Sequence, residues 1–217
     1  MHTLIISGGT IDTDFALDLL KKEKYDHIIG VDGALKFCKE QNIVPTRIVG
    51  DFDTLDPEIL TWYQTNTQIE IRQFNPVKDA TDTQIAIELA MELGSRKITL
   101  IGGTGTRLDH VLGNIQTLYL PFVKGIDCRI VDAHNRIRLV SGELHLKMTE
   151  QWGKYVSLIP FTTDVEGVDL IGFKYPLEKF NFTVLGTGSR GVSNEIAEEE
   201  AVIRIEKGIM ILVESKD

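Results

Sequence analysis

The 217-residue chain reads as an α/β protein: a mostly parallel sheet flanked by helices, then an antiparallel β-sandwich. Three observations predict this. Short Ile/Val-rich runs alternate with amphipathic helical stripes up to about Asp132. Most of those runs close in Gly or Asp. Beyond Asp132 the helical stripes stop, and strand-like runs follow one another.

The first runs are TLII (3–6) before Ser7-Gly8-Gly9, HIIGV (27–31) before Gly33, and RIV (47–49) before Gly50-Asp51. IEIRQF (69–74) is weaker; KITLI (97–101) ends in Gly102-Gly103, and CRIV (128–131) in Asp132. Apolar runs of this length mark strands buried on both faces, as parallel strands are. Residues 12–24 place Phe15, Ala16, Leu19 and Leu20 on one helical face. Residues 79–93 do so with Ile85, Ala86, Leu89, Ala90 and Leu93, closed by Gly94. Residues 108–119 carry Leu108, Val111, Leu112, Ile115 and Leu118. Strands alternating with helices give a parallel, Rossmann-like sheet, whose ligands bind beyond the carboxyl ends of its strands. The later strand candidates are 137–140, 142–146, 155–160, 168–173, 180–184, 200–205 and 209–213. A turn is expected at Glu206-Lys207-Gly208. This pattern predicts a sandwich or barrel, with domains at residues 1–132 and 133–217.

Lys and Arg number 23 against 32 Asp and Glu, a net charge of −9. No basic stripe is present, which argues against a nucleic-acid partner. Carboxylates can still reach phosphate through a metal ion. Cys38 and Cys128 show no CxxC spacing and are expected as core filler in a reducing compartment. The start MHTLIISGG is too short and uncharged for a signal peptide, and no apolar run reaches membrane length. A cytoplasmic protein is expected.

Three segments carry chemistry. In VGDFDTLDP (49–57), Asp51 and Asp53 follow a strand. Extended chain points residues i and i+2 the same way, so the two carboxylates are expected side by side, where Mg²⁺ suits them. The competing reading is a solvated loop, and Asp56 before Pro57 reads as a plain helix cap. In KDATD (78–82), Asp79 and Asp82 share one face of a helical first turn beside Lys78; helix capping is the alternative. In IGGTGTRLDH (101–110), a Gly-rich turn between strand and helix suits phosphate, and Arg107 adds a forked donor. It is neither a P-loop nor the dinucleotide fingerprint. His110 reads as a ligand, a phosphate donor or an ordinary helix histidine. DFDTL (51–55) is no phosphatase nucleophile loop, since Thr54 stands three residues after Asp51 where that loop has its hydroxyl four after.

Taken in order, VGDFDT, KDATD, GGTGTRLDH and GSRGVSNE resemble the thiamine pyrophosphokinase (thiamine diphosphokinase) family, from Gly30 to Asn194. The resemblance implies an α/β catalytic, ATP- and Mg²⁺-binding domain followed by a β-sandwich that binds thiamine, in a homodimer. It implies pyrophosphate transfer from ATP to the thiamine hydroxyl, with release of AMP. Residue by residue, metal and catalysis fall to Asp51, Asp53, Asp79 and Asp82. ATP falls to Asp32, Lys78, Thr104, Arg107, Asp109 and His110, and thiamine to Ser193 and Asn194. Thr54 stands where the first motif often has Ser, and Thr106 where GGRxDH has its second Gly. Glu195 and IAEEE (196–200) follow Asn194, where some members place a Trp. The alternatives are another Mg²⁺-dependent phosphotransferase or phosphatase, or a catalytically silent nucleotide-binding sensor. All four acids are present, which speaks against the sensor.

Overall fold

The computed structural model describes residues 1–53, 55–73 and 80–217. The chain divides into two compact units, Met1–Ala133 and His134–Asp217.

The first unit holds β1 (His2–Ile6), α1 (Thr13–Lys22), β2 (His27–Val31), α2 (Ala34–Glu40), β3 (Arg47–Gly50) and α3 (Pro57–Asn66). Then come β4 (Glu70–Gln73), α4 (Asp82–Glu92), β5 (Lys97–Ile101), α5 (Leu108–Thr117), α6 (Tyr119–Phe122) and β6 (Asp127–Val131). The strand order is β6-β5-β1-β2-β3-β4, and every neighbouring pair is parallel. The apolar runs are buried as expected: Leu4, Ile5, Ile6, Ile29, Ile48, Ile98 and Leu100 have no exposed surface. Helix starts follow capping chemistry. Asp12 accepts from Phe15 N at 2.8 Å to open α1, and Asp56 accepts from Glu58 N at 2.9 Å to open α3. Thr81 caps α4. Cys38 and Cys128 are both buried and free. Burial pushes the Cys38 thiol up to about 12, so it is a packing group and not a nucleophile. Among the described residues, no helix is long and apolar enough to cross a membrane.

The chain starts at the centre of this sheet. From β1 it lays down β2, β3 and β4 on one side, then returns to place β5 against the other side of β1. The crossover connections on either side of that point therefore leave in opposite directions. A crevice opens between the ends of β1 and β5.

The second unit is antiparallel: β7 (Asn135–Lys147), β8 (Tyr155–Pro160), β9 (Asp164–Ile171), β10 (Leu177–Thr183), β11 (Asn194–Glu195) and β12 (Glu200–Ser215). Two expected pairs of strands are single long strands. β12 pairs with β7 over both of its halves; its first half also pairs with β9, and its second half with β8. Two sheets thus share two bent strands, the usual way a sandwich turns a corner. The expected turn at Glu206-Lys207-Gly208 is that corner. Ile205 faces Gly142 and Met210 faces Val140, so residues 206–209 bulge opposite Ser141 alone. Gly208 (φ 100°) and Gly142 (φ 67°) take the left-handed backbone that the bend requires. Between the sheets lie Val165, Val168, Leu170, Phe182, Ile203, Met210 and Leu212.

One ion pair fastens the far end of this unit. Arg136 and Glu214 face each other across β7 and β12. Arg136 Nε donates to Glu214 Oε2 at 2.7 Å and Nη2 to Oε1 at 2.5 Å, with the Glu214 side chain only 1% exposed. Trp152 N also donates to Oε1 at 3.3 Å, and the guanidinium lies 5.5 Å from the Trp152 ring centre. Arg136→Met strands a buried carboxylate and is expected to cost about 3–5 kcal/mol, read by urea unfolding. The double change Arg136→Met with Glu214→Leu should recover most of that loss, because neither charge is then left alone.

Candidate active site

The ends of β1 and β5 continue past the sheet as two loops joined backbone to backbone. Ser7 N donates to Ile101 O at 2.9 Å, Gly9 N to Gly102 O at 2.9 Å, and Thr10 N to Thr104 O at 2.8 Å. The approach is too close for a side chain at residue 9. A Cβ there would lie 2.3 Å from Thr104 O and 2.4 Å from Gly102 O. The joined loops floor a cleft of about 570 Å³. Its walls come from Val31, Asp32 and Asp51, from Ala80 and Thr81 just before α4 and Asp82 and Thr83 at its start, and from Arg107, His110 and Asn114. Among the described residues, nothing accepts the backbone N–H groups of Gly8, Thr104, Gly105 or Thr106. Four free N–H groups beside two helix starts suit an anion.

Carboxylates gather at the neighbouring strand ends. One oxygen each of Asp32, Asp51 and Asp53 can be chosen so that all three lie within 4.8 Å. Asp32 follows β2 and the other two follow β3. The sequence argument for Asp51 and Asp53 assumed an extended chain, and the structure corrects it. β3 ends at Gly50, and Phe52 is left-handed at φ 61°. The Phe52 ring is buried with Leu35, Ile48, Leu55, Ile59 and Tyr63. The chain turns about that ring, and Asp53 N donates to Asp51 Oδ1 at 3.2 Å. The carboxylates meet through a turn, not a pleat. Asp32 is left-handed as well, at φ 43°.

The remaining expected residues divide. Asp82 lines the cleft as the first residue of α4. Lys78, Asp79 and Thr54 lie outside the described residues. Thr104 donates to Asp132 Oδ2 at 2.8 Å, which fixes its side chain to the end of β6. Arg107 lines the cleft and grips Asp109, with Nη2 to Oδ2 at 2.6 Å and Nε to Oδ1 at 3.3 Å. That hydrogen-bonded pairing holds the Asp109 carboxyl down to about 2. His110 lines the cleft, whereas Asp109 faces Arg107.

In the second unit Ser193 is left-handed at φ 60°, and its N–H donates to Ser157 Oγ at 2.9 Å. Asn194 is buried. Its Oδ1 accepts from Tyr175 N at 3.0 Å and its Nδ2 donates to Tyr175 O at 2.8 Å. The Asn194 amide thus holds the backbone of Tyr175, whose ring is exposed.

The side-chain bonds of three buried polar residues at the cleft escaped the sequence reading. Ser7 Oγ and Thr83 Oγ1 share a hydrogen bond of 2.7 Å between the end of β1 and α4. Asn114 Nδ2 donates to Gly103 O at 2.8 Å. The stripe expected on α5 is accordingly turned. Asn114 and Leu118 are buried, while Leu108 and Leu112 are 72% and 63% exposed. A polar residue on the inner face of an otherwise apolar helix is the one signal that could have revealed it.

Residues 16–130 match the family model described as "Thiamin pyrophosphokinase, catalytic domain", and residues 142–210 match "Thiamin pyrophosphokinase, vitamin B1 binding domain". The chain is 34% identical over 195 residues to the thiamine pyrophosphokinase of Bacillus subtilis (strain 168), covering 87% of each. The crystal structure of thiamine pyrophosphokinase from Bacillus subtilis superposes with a TM-score of 0.86 at 30% identity, covering all of both chains. That of thiamin pyrophosphokinase from Geobacillus thermodenitrificans gives 0.86 at 30% identity, covering 100% of this chain and 98% of the other.

Replacing Gly9 by Ala drives a methyl group into the two carbonyls that join the loops. It is expected to destabilise the protein by about 1–3 kcal/mol, measured as a shift in thermal or urea unfolding.

Proposed function

Because the chain belongs to the thiamin pyrophosphokinase family, we propose that it transfers the pyrophosphoryl group of ATP to the hydroxyl of thiamine. The products are thiamine diphosphate and AMP. The observation that carries the nucleotide half of this reading is the cleft between β1 and β5, with unused N–H groups on one side and clustered carboxylates on the other.

The hydroxyl oxygen attacks the β-phosphorus, the bond from that phosphorus to the α-bridging oxygen breaks, and AMP leaves with the bridging oxygen. The hydroxyl proton is released. Transfers of this kind depend on alignment and charge neutralisation more than on covalent help. The loop N–H groups would bind phosphate oxygens, and Arg107 would share its guanidinium between Asp109 and the triphosphate. Three hard oxygen donors within 4.8 Å suit Mg²⁺. Asp32, Asp51 and Asp53 would hold it, with Asp82 from the start of α4 and with Asp79, the fourth acid of the sequence motifs. When bound, it draws charge from the phosphate oxygens.

For thiamine, the reading rests on the second unit. Ser193 keeps an exposed position, and Asn194 would act through the backbone of Tyr175. An exposed aromatic ring with a pinned backbone suits a cationic heterocycle, worth ~0.5–2 kcal/mol face-on. A homodimer is supported by the apolar side chains that α5 leaves uncovered, Leu108 and Leu112. A cytoplasmic location fits the two reduced cysteines.

The test is incubation with ATP, Mg²⁺ and thiamine. AMP and thiamine diphosphate should appear together, one for one. ADP or free phosphate in their place would falsify the reading in favour of another phosphotransferase or a phosphatase. Asp51→Asn should bring turnover to background while leaving the unfolding midpoint nearly unchanged, because the carboxylate carries no core packing. An Asp51→Asn protein with ordinary turnover removes Asp51 from the metal set.

A further inference from the structure

Three consecutive carbonyls of the loop after β5 are held by donors from the chain itself. Gly102 O accepts from Gly9 N, and Thr104 O accepts from Thr10 N. Between them, Gly103 O accepts from Asn114 Nδ2 at 2.8 Å. Two of these donors are backbone N–H groups. The third is a side chain, and it sits where side-chain chemistry alone would not put it. Asn is a poor residue for a helix interior, and a buried amide costs free energy unless it is hydrogen-bonded. Gly103 is the partner that offsets both costs.

The bond has a directional consequence. The described peptides are trans, and in a trans peptide the N–H of the next residue points opposite to the carbonyl. By drawing Gly103 O toward α5, Asn114 turns Thr104 N–H the other way. Among the described residues nothing accepts that N–H, and its loop lines the cleft. The Thr104 side chain cannot reset the peptide, since its hydroxyl is tied to Asp132.

We propose that Asn114 is a positioning residue for the nucleotide. It locks the Gly103–Thr104 peptide so that Thr104 N–H is presented to a phosphate oxygen. The proposal rests on the reading of this cleft as the ATP site. It separates the two substrates: Asn114 acts on ATP through Gly103 and has no part in holding thiamine.

The experiment is calorimetric titration of the full chain with ATP, together with steady-state kinetics in both substrates. Asn114→Asp keeps the shape but loses the donor, and Asn114→Leu removes the amide. Each is expected to raise the Kd for ATP about tenfold, the loss of one well-placed hydrogen bond, with KM for thiamine unchanged. A second measurement needs no variant. Thr104 amide exchange in the unaltered protein should slow when ATP saturates the cleft. Folded variants that bind ATP as tightly as the unaltered chain overturn the proposal, as does a Thr104 amide that ATP leaves unprotected. An unaltered chain that binds no ATP at all removes the nucleotide reading itself, and this proposal with it.

Discussion

The backbone pairing between the loops after β1 and β5 is the constraint on which the rest of the first unit depends. A parallel sheet that grows in both directions from its first strand must leave a crevice where growth reverses. Here the crevice does not stay open to its base. Gly9 and Thr10 extend the β1–β5 pairing past the strands. That pairing consumes the carbonyls of Gly102 and Thr104 and leaves N–H groups for a ligand. The Ser7–Thr83 hydrogen bond then ties α4 to the same floor. The acidic first turn of α4 therefore meets the cleft at a fixed place.

Gathering carboxylates is the costly half of the site. Asp32, Asp51 and Asp53 repel one another at this spacing, and both Asp32 and Phe52 adopt left-handed backbone. Such backbone costs about 1–3 kcal/mol per residue. Burial of the Phe52 ring against Ile48, Leu55, Ile59 and Tyr63 returns ~1.5–3 kcal/mol. The apolar residue between the two acids is therefore the reason they can sit together. It anchors one side of the turn in the core, and the carboxylates have only the other side to occupy.

What could be read in the sequence follows from the range of the signal. The parallel strands were legible because their apolar runs are short, β-branched and closed by Gly or Asp. The cap at Asp56 was legible because capping is a contact across two or three residues. α2 was not, since seven residues are too few for a stripe. The bent strands of the second unit were split, because Gly142 and Gly208 carry the same local signal in a turn as in a corner. Only the pairing with β7 on both sides of the bulge tells them apart. Asp51 and Asp53 were expected side by side for an incomplete reason. Their local spacing was seen, but the tertiary burial of Phe52 brings them together. Ser7, Thr83 and Asn114 act through partners 76 and 11 residues away, and a single sequence does not display such pairs.

The left-handed residues show how both units hold conformations that most side chains avoid. Asp32 donates its N–H to Val49 O at 2.9 Å, and Asn42 donates to Lys39 O at 3.2 Å. Lys179 N is taken by Asp169 Oδ1 at 2.8 Å, and Ser193 N by Ser157 Oγ at 2.9 Å. In each, the N–H has a fixed acceptor, so relaxing the backbone means breaking a hydrogen bond. In the second unit those acceptors are buried side chains, Asp169 and Ser157. Phe52 differs, since its ring and not its N–H is what holds it. Asn42 lies at the end of α2, where an αL residue commonly stops a helix. Asp32, Phe52 and Ser193 end no helix. Asp32 and Phe52 lie where the carboxylates gather and Ser193 opens the Ser-Asn pair, whereas Lys179 lies within β10, where Asp169 holds it.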